Sequence, residues 1–387
     1  MKTLLKILIV LVSVVLLAIL MLFITGNGHV LNGITQTWFV GESKPDIDDM
    51  EHFDLRKVEV GNYEPWTSSS SFGDMEIPQA QNDTLEKYET VALLIIRHDS
   101  VYFEKYWEGY TDTTYSNSFS MAKSFTSIAI GCAIGDGFIK DVHQKVGDFL
   151  PRFKEGENAK LEIEHLLQMR SGIPFGESYA SPFGYMARAY YGDDLRTETE
   201  SYSVEFEPGT MWEYEGGNTV ILAEILEKAT GKTLSEYFSE KVWQKVGARK
   251  PAFWNLDREG GLEKAFSAFY SNARDFARLG KLYLDSGRWE GQQIVPEDFV
   301  ICSAQPVKVE DRFGEVVDWY GYQWWLGEHN GKPFFSARGM RGQYILVVPE
   351  DDLIVVKLGH NRPQEKVDHA HTDVYQLLDL GYELTAK

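Results

Sequence analysis

The strongest hydrophobic pattern in the chain is an unbroken apolar run near the N-terminus. Ile7–Ile24 contains eighteen residues, of which only Ser13 is polar, and Lys2 and Lys6 lie at or before its start. This length is typical of a membrane-spanning helix. Because lysines precede the run and acidic residues follow it, the N-terminus is expected to be cytoplasmic. We predict a membrane anchor over residues 1–27, single-pass in the inner (cytoplasmic) membrane, with the body of the protein outside the cytoplasm.

A cleaved secretory signal is the alternative interpretation of this segment. Gly26–Asn27–Gly28 offers a weak cleavage site made of small residues. The apolar run is longer than the roughly 7–15 residues that are usual for the apolar part of a signal peptide. The length therefore favours an anchor that is retained.

Two segments of different character follow the apolar run. Residues 28–83 mix polar and apolar positions without a clear period and include the hydroxyl-rich run Thr67–Ser71. We predict a linker and partly ordered extension there. From residue 84 onward, apolar runs of strand length and helical patterns alternate with turn residues. Residues 84–387 are therefore predicted to form the globular domain.

Strand patterns lie at both ends of this domain. Thr90–Arg97 and Val101–Trp107, joined by a short polar turn, predict an antiparallel hairpin. The other predicted strands are Tyr320–Leu326, Lys332–Ala337, Gln343–Val348 and Leu353–Leu358, and the main predicted helices are Thr219–Thr230, Thr233–Val246, Asn272–Ser286 and Pro363–Leu380. This order predicts an α/β (α+β) fold. An antiparallel sheet, flanked by N- and C-terminal helices and built from both ends of the domain, carries an inserted, mostly helical subdomain.

Composition narrows the possible functions. The 387 residues carry 38 basic and 58 acidic side chains, a net charge of −20, which argues against nucleic acid as a partner. The two cysteines, Cys132 and Cys302, are expected to be free, structural thiols that form no bridge, and they provide no metal framework. His369 and His371 are spaced i, i+2 in the last predicted helix, where their rings would diverge. No P-loop and no Gly-x-Ser-x-Gly motif occurs, and we predict neither a metal site nor a cofactor.

The stretch Ser120–Met121–Ala122–Lys123 carries the strongest candidate chemistry. It begins a predicted helix whose next residues, 125–134, are small and apolar, so the helix is expected to be buried. Residues three apart share a helix face, which can bring Ser120 Oγ and Lys123 Nζ within hydrogen-bond distance. A buried helix start disfavours a charged ammonium group, and a neutral lysine can accept the serine proton. The pair predicts a nucleophile and its base, although roughly one Ser-x-x-Lys is expected by chance in such a chain.

Further motifs make the chain resemble the serine hydrolases of the class C β-lactamase and penicillin-binding-protein family. Within that family it is most similar to the 6-aminohexanoate-dimer hydrolase and esterase-like branch. The resemblance covers about Tyr88 to Leu380 and rests, besides Ser120 and Lys123, on blocks in the family's order at 166–173, 208–219, 272–280, 320–325 and 339–343. It implies a β-lactamase/transpeptidase-like fold and an acyl-enzyme on Ser120, with no cofactor.

The resemblance also implies roles for other residues. Tyr214 would act with Lys123 as the general base and acid that carries a proton to the leaving group. The family's Tyr-x-Asn motif has Gly at position 216 here, so Asn218 is the nearest equivalent and is predicted to bind substrate. The backbone N–H groups of Ser120 and Met340 would form the oxyanion hole.

The family's Lys-Thr-Gly motif is replaced by Ala337–Arg338–Gly339. Gly339 would let substrate approach the strand closely, and Arg338 or Arg341 would have to supply the missing charge. Neighbouring strand residues point to opposite faces, however. We predict that Arg338 and Gly339 bind substrate and that penicillins are turned over poorly.

The predicted function is that of a serine hydrolase acting on a small carboxylic ester or linear amide. The alternatives are a D-alanyl-D-alanine carboxypeptidase or β-lactamase, and a penicillin-binding-like sensor module that is acylated without turnover. The irregular segment 175–205 is expected to line the pocket, where Asp193–Asp194 would meet a cationic substrate end. Arg274 and Asp275 are expected to form a structural ion pair.

Overall fold

The structure, a computed structural model, describes residues 1–41 and 45–386. Its helices are α1 (Lys2–Ile24), α2 (His29–Gln36), α3 (Gln79–Lys87), α4 (Met121–Gly135), α5 (Ile163–Leu167), α6 (Tyr185–Tyr191), α7 (Leu195–Glu200), α8 (Gly216–Thr230), α9 (Leu234–Phe238), α10 (Ala273–Leu284), α11 (Glu297–Ser303) and α12 (Thr372–Glu383). Its strands are β1 (Leu55–Val58), β2 (Thr67–Ser68), β3 (Thr90–Arg97), β4 (Ser100–Tyr106), β5 (Ser116–Asn117), β6 (Met211–Trp212), β7 (Ala252–Asn255), β8 (Phe269–Ser271), β9 (Arg288–Trp289), β10 (Gln292–Gln293), β11 (Glu310–Asp311), β12 (Trp325–His329), β13 (Lys332–Gly339), β14 (Gln343–Val348), β15 (Leu353–Gly359), β16 (Lys366–Val367) and β17 (Ala370–His371).

The central element is a seven-stranded sheet with the strand order β12-β13-β14-β15-β3-β4-β2. Neighbouring strands are antiparallel, except that β2 runs parallel to β4. β3 pairs with its hairpin partner β4 on one side and with β15 on the other, where Ile95 lies opposite Val355. The predicted sheet, made from both ends of the domain with helices inserted between them, is confirmed.

Both faces of this sheet are covered, which explains the unbroken apolar runs of its strands. Leu93 and Ile95 of β3 belong to a hydrophobic cluster shared with α3 and α12. Leu94 and Ile96 belong to the main core, together with residues of α4 and α10. Because successive strand side chains point to opposite faces, only a continuous apolar strand satisfies both layers.

Several element boundaries within the domain differ from the predictions, and two of them concern a strand and a helix that are shorter than expected. The strand expected at Tyr320–Leu326 begins only at Trp325, because Gln323 has a positive φ of 61° and turns the chain. The helix expected over Thr233–Val246 ends as α9 at Phe238 and continues as a π-helical turn. Both segments have the expected apolar pattern, but the turn at Gln323 shortens the strand and the π-helical turn after Phe238 shortens the α-helix.

The last helix begins at Thr372, not at Pro363 as predicted. The preceding residues form the β16–β17 hairpin, whose turn residues Asp368 and His369 both have positive φ. His369 therefore lies outside the helix, and its ring stacks on Trp319 with centroids 3.3 Å apart. The helical spacing assumed for the two histidines does not apply.

Arg274 and Asp275 do not pair with each other, so that prediction was wrong. Arg274 binds Glu104 across the molecule, with Nη2 2.6 Å from Oε1. Asp275 binds Arg278 at 3.1 Å, one turn further along α10. Adjacent residues on a helix do not face each other, whereas residues three apart do.

The segment 28–83 contains regular structure that pairs with the domain. β1 extends a second sheet by pairing with β7, and β2 joins the edge of the central sheet beside β4. α1, by contrast, has no buried residue among its 23 positions and is long and apolar enough to cross a bilayer.

Candidate active site

Ser120 immediately precedes α4 and is presented by a tight turn. Phe119, directly before it, has a left-handed φ of 44°, which costs a bulky residue energy and requires support from its surroundings. Asn117 Oδ1 provides that support by accepting a hydrogen bond from the Phe119 N–H at 2.8 Å. The Ser118 N–H donates to Phe269 O at 2.8 Å. This turn leaves Ser120 half-buried, whereas the helix that follows is buried.

Asn117 is itself held by a buried polar cluster. Its Nδ2 donates to Asp49 Oδ1 and to Tyr270 Oη, both at 3.1 Å. The hydroxyls of Tyr190 and Tyr270 donate to the Asp49 carboxylate. Burial raises the pKa of Asp49, while these hydrogen bonds lower it. The cluster thus ties a residue of the predicted linker to the turn that carries Ser120, a connection that the sequence pattern did not indicate.

Lys123 lies one turn after Ser120, as the spacing predicted. Its Nζ is 3.1 Å from Ser120 Oγ and 3.0 Å from Phe266 O, and the side chain is only 1% exposed. In the neutral form, an N–H can be donated to Phe266 O while the lone pair faces the serine hydroxyl. The pair therefore has the geometry of a nucleophile and its base.

Tyr214 lies on the other side of the lysine. Lys123 Nζ is 4.8 Å from the centroid of the Tyr214 ring. The ring is half-buried among Trp212, Tyr320 and Trp325. No hydrogen bond joins its hydroxyl to another of the described residues, so this group is available to a substrate. The structure therefore brings Ser120, Lys123 and Tyr214 together.

Gly339 and Met340 lie at the end of β13, beside the Ser120 turn. A Cβ on Gly339 would come within 2.2 Å of Ser118 O, so the close approach of strand and turn requires glycine. Met340 and Ser120 line the same cleft. Arg341, at a φ of 62°, fixes the chain after Met340 by donating to Pro45 O at 2.7 Å and to His360 O at 3.1 Å.

Gly339→Ala is expected to lower kcat for an ester substrate by about 10- to 1,000-fold, in the range seen when oxyanion stabilisation is damaged. The added Cβ must push the strand away from Ser118 O and so displace the Met340 N–H. Steady-state kinetics and thermal unfolding would be measured together. Gly184→Ala is the matched control, because its Cβ would meet no atom closer than 3.5 Å. Equal effects of the two substitutions would contradict the role of Gly339.

Arg338 and Asn218, predicted to bind substrate, are both buried. Arg338 points to the other face of the sheet, where its Nε donates to Ser336 Oγ at 2.8 Å and burial lowers its pKa to about 10. Strand alternation gives it this direction. Asn218 is 1% exposed within α8, and its Nδ2 lies 3.5 Å from Met169 Sδ. Neither side chain lines the cleft beside Ser120.

The cleft beside Ser120 has a volume of about 470 Å³. One wall is the segment 179–191, as expected for the irregular region. A second wall comes from residues 29–38 and was not predicted. Among the described residues that line the cleft, none is an aspartate, glutamate, lysine or arginine. The walls are therefore suited to an uncharged group.

Asp193 and Asp194 lie away from this cleft. Asp194 caps α7 by accepting a hydrogen bond from the Thr197 N–H at 3.2 Å and lies 3.6 Å from Arg258. Asp193 O accepts a hydrogen bond from the same arginine at 2.6 Å. Both residues are therefore engaged at the surface, outside the cleft that contains Ser120.

Two glutamates that the sequence did not single out support the segment around Tyr214. Glu177 accepts hydrogen bonds from the Gly216 N–H at 2.7 Å and from the Tyr179 hydroxyl. Glu215 accepts one from the Gly176 N–H at 3.1 Å. Burial raises the pKa of Glu215 to about 8, although that hydrogen bond acts to lower it. The only sign of this arrangement in the sequence is that a glycine and a glutamate are adjacent at both places, at residues 176–177 and 215–216.

Glu215→Gln is expected to make the protein more stable at high pH. Because the folded-state pKa of Glu215 is raised, the protonated form stabilises the fold. That stability is present below the unfolded pKa near 4.5 and is lost as pH rises through about 8. The variant should gain roughly 2–4 kcal/mol relative to the native chain between pH 5 and pH 9.

Denaturant unfolding at pH 5, 7 and 9 would measure this effect. Glu213→Gln is the control, since Glu213 is half-buried and paired with Arg312 at 3.1 Å. A stability difference between Glu215→Gln and the native chain that stays constant with pH would refute the prediction.

Comparisons with known proteins agree with this fold. The model of the beta-lactamase family matches residues 81–379 of the chain. The 6-aminohexanoate-dimer hydrolase of Paenarthrobacter ureafaciens is 27% identical over 305 residues, covering 74% of this chain and 76% of that protein. A Bacillus anthracis structure, provisionally named a 6-aminohexanoate-dimer hydrolase, superposes with a TM-score of 0.73 at 22% identity and covers 87% of this chain and 93% of its own.

A family VIII carboxylesterase has the same fold. It superposes with a TM-score of 0.63 at 16% identity, over 86% of this chain and all (100%) of that one. The matched family region contains every strand of the central sheet except β2, as well as α4, the Ser-x-x-Lys pair and the Tyr214 segment. The chain therefore belongs to the beta-lactamase family of serine hydrolases.

Proposed function

We propose that the chain is a hydrolase that cleaves an uncharged carboxylic ester or linear amide through an acyl-enzyme on Ser120. The observation that carries this proposal is the distance of 3.1 Å between Lys123 Nζ and Ser120 Oγ, the latter belonging to a residue that lines the cleft. The proposal is also supported by the hydrogen bond from Lys123 Nζ to Phe266 O, which holds the lysine in place. The likeness to amide and ester hydrolases points to the same chemistry.

The proposed reaction has two halves. In the first, Ser120 Oγ bonds to the substrate carbonyl carbon while its proton passes to Lys123 Nζ. The bond to the leaving group then breaks, and Tyr214 relays the proton from Lys123 to the departing oxygen or nitrogen, so that both residues return to their starting protonation. In the second half, water adds to the acyl-enzyme, its proton passes to the same groups, and the carboxylic acid leaves with Ser120 restored. The N–H groups of Ser120 and Met340 stabilise the oxyanion in both halves.

The electrostatics of the cleft favour this substrate class over cell-wall peptides. A peptide ending in D-alanine carries a carboxylate, and its recognition calls for a cationic partner. Among the described residues, neither lysine nor arginine lines the cleft. Arg338, the candidate replacement in the sequence, is directed to the opposite face of the sheet.

Membrane anchoring is part of the proposal. The apolar helix α1 has 23 residues and no contact that buries it. With two lysines before its apolar core, it would hold the domain on the outer side of the inner membrane.

Covalent trapping at Ser120 tests the proposal. The full chain in detergent is treated with a p-nitrophenyl alkylphosphonate, and the modified peptide is located by mass spectrometry. We expect a single adduct on Ser120, because the phosphonate mimics the tetrahedral intermediate. An adduct on another residue would refute the assignment of Ser120.

The same sample distinguishes the alternatives. A butyryl group that persists on Ser120 after exposure to p-nitrophenyl butyrate, with no continuing release of nitrophenol, would indicate a sensor module. Labelling of Ser120 by a fluorescent penicillin together with turnover of a peptide ending in D-alanine would indicate the carboxypeptidase, and rapid hydrolysis of the penicillin would indicate the β-lactamase.

A further inference from the structure

The wall of the cleft formed by α2 follows directly on the apolar helix α1. Only Thr25–Gly28 separates the two helices, and four residues span at most about 14 Å. This link is also folded back, because the Thr25 N–H donates to Met21 O at 3.0 Å and the Asn27 N–H to Leu22 O at 2.7 Å. With α1 in a bilayer, α2 therefore lies in the interfacial layer.

α2 is fixed to the body of the protein through α6. His29 Nε2 is 2.8 Å from Pro182 O, and Asn32 Nδ2 donates to Tyr191 O at 2.9 Å. At the start of α2, Arg188 donates to Asn27 Oδ1 at 2.9 Å. These contacts place the end of the anchor and the mouth of the cleft side by side.

The mouth of the cleft is apolar and open. Ile34 and Trp38 line it with 38% and 73% of their surfaces exposed. Phe39 and Phe183, next to lining residues in the chain, are 78% and 54% exposed. Exposed aromatic and aliphatic side chains beside a membrane anchor are typical of contact with lipid at the interface.

The cleft lies on the acyl side of the reaction centre. Ser120 and Met340, which flank the carbonyl in the proposed mechanism, line the cleft. Tyr214, which delivers the proton to the leaving group, does not line it. A substrate carbonyl attacked by Ser120 would therefore extend its acyl group into the cleft and its leaving group towards Tyr214.

We infer that the substrate is a membrane amphiphile whose long aliphatic acyl chain enters this cleft from the bilayer, past α2. The inference rests on the proposed function and narrows its substrate class. The uncharged lining excludes a charged acyl group, and the position of α2 gives the chain a route that avoids water. Burial of apolar surface provides the binding energy.

Chain-length selectivity tests this inference. The full chain in phosphatidylcholine vesicles is assayed with p-nitrophenyl butyrate, octanoate and dodecanoate. Each buried methylene is worth about a threefold to fourfold gain in binding. We therefore expect kcat/KM to rise at least tenfold from butyrate to dodecanoate.

Two variants locate the acyl chain. Ile34→Asp adds a charge to the cleft mouth, and Ala187→Trp fills the cleft from α6. Each should lower the dodecanoate-to-butyrate ratio at least tenfold. Ile301→Asp is the matched control, because Ile301 is 49% exposed on α11, outside the cleft, and it should leave the ratio unchanged. Thermal unfolding would show that all three variants are folded.

The outcomes separate this inference from the proposed function. A flat or falling chain-length profile, with butyrate turnover that depends on Ser120, overturns the lipid substrate and leaves the hydrolase. A ratio that stays unchanged in both cleft variants overturns the cleft as the acyl site. The absence of Ser120-dependent turnover at every chain length overturns both.

Discussion

Replacing Ser120 with alanine is expected to lower kcat for p-nitrophenyl butyrate by at least about 10,000-fold. The loss is large because the nucleophile acts as one unit with its base, and only binding and the oxyanion hole remain once it is removed. The protein should stay folded. Among the described residues, Ser120 Oγ hydrogen-bonds only to Lys123 Nζ, and the turn around it is held by Asn117.

Ser124→Ala is the matched control for this substitution. Ser124 lies one turn further along α4, is 1% exposed, and donates to Gln323 O at 2.6 Å. Removing that hydrogen bond is expected to cost about 1–3 kcal/mol of stability, because it leaves a buried acceptor unpaired. Turnover should nevertheless persist. Similar rates in Ser120→Ala and the native chain would show that another residue is the nucleophile.

Replacing Lys123 with methionine is expected to lower kcat by about 1,000-fold. Methionine keeps the length and apolar stem of lysine but cannot accept the Ser120 proton, and general base catalysis typically contributes about 100- to 10,000-fold. The double variant with Ser120→Ala should be no slower than Ser120→Ala alone, because the two residues act in one step. Additive losses would mean that they act independently.

Lys281→Met provides the comparison for loss of a mostly buried lysine. Lys281 is 9% exposed on α10 and bridges Asp99 and Asp285, the latter at 2.7 Å. Its removal should affect stability but not kcat. A comparable fall in kcat in this variant would indicate that the effect of Lys123→Met is structural.

The predictable parts of this molecule are those set by local pattern. Thr90–Arg97 is apolar at every position from 91 to 96, which only burial on both faces of a sheet explains. Ser120 and Lys123 are brought together by helix geometry alone, with no help from distant residues. In both cases the determining interaction lies within a few residues of sequence.

Features that depend on distant contacts escaped prediction. The helix His29–Gln36 was assigned to a linker because its role appears only when α6, about 150 residues later, packs against it. The role of Asp49 could not be predicted from the sequence, because the residues that bind its carboxylate are far away in the chain. They are Asn117, Tyr190 and Tyr270. Arg338 was a candidate ligand by motif position, but strand alternation directs it away from the cleft.

The pairing of β3 with β15 has a consequence for how the chain reaches its native state. β3 ends at Arg97, and its partner in the sheet starts at Leu353, about 250 residues later. At roughly 5–20 residues per second of synthesis, the partner strand appears about 13–50 s after β3. During that interval the β3 edge of the β3–β4 hairpin lacks its partner strand. Closure of the sheet therefore depends on long-range contacts that form late, which makes folding slow and exposes the open hairpin to aggregation.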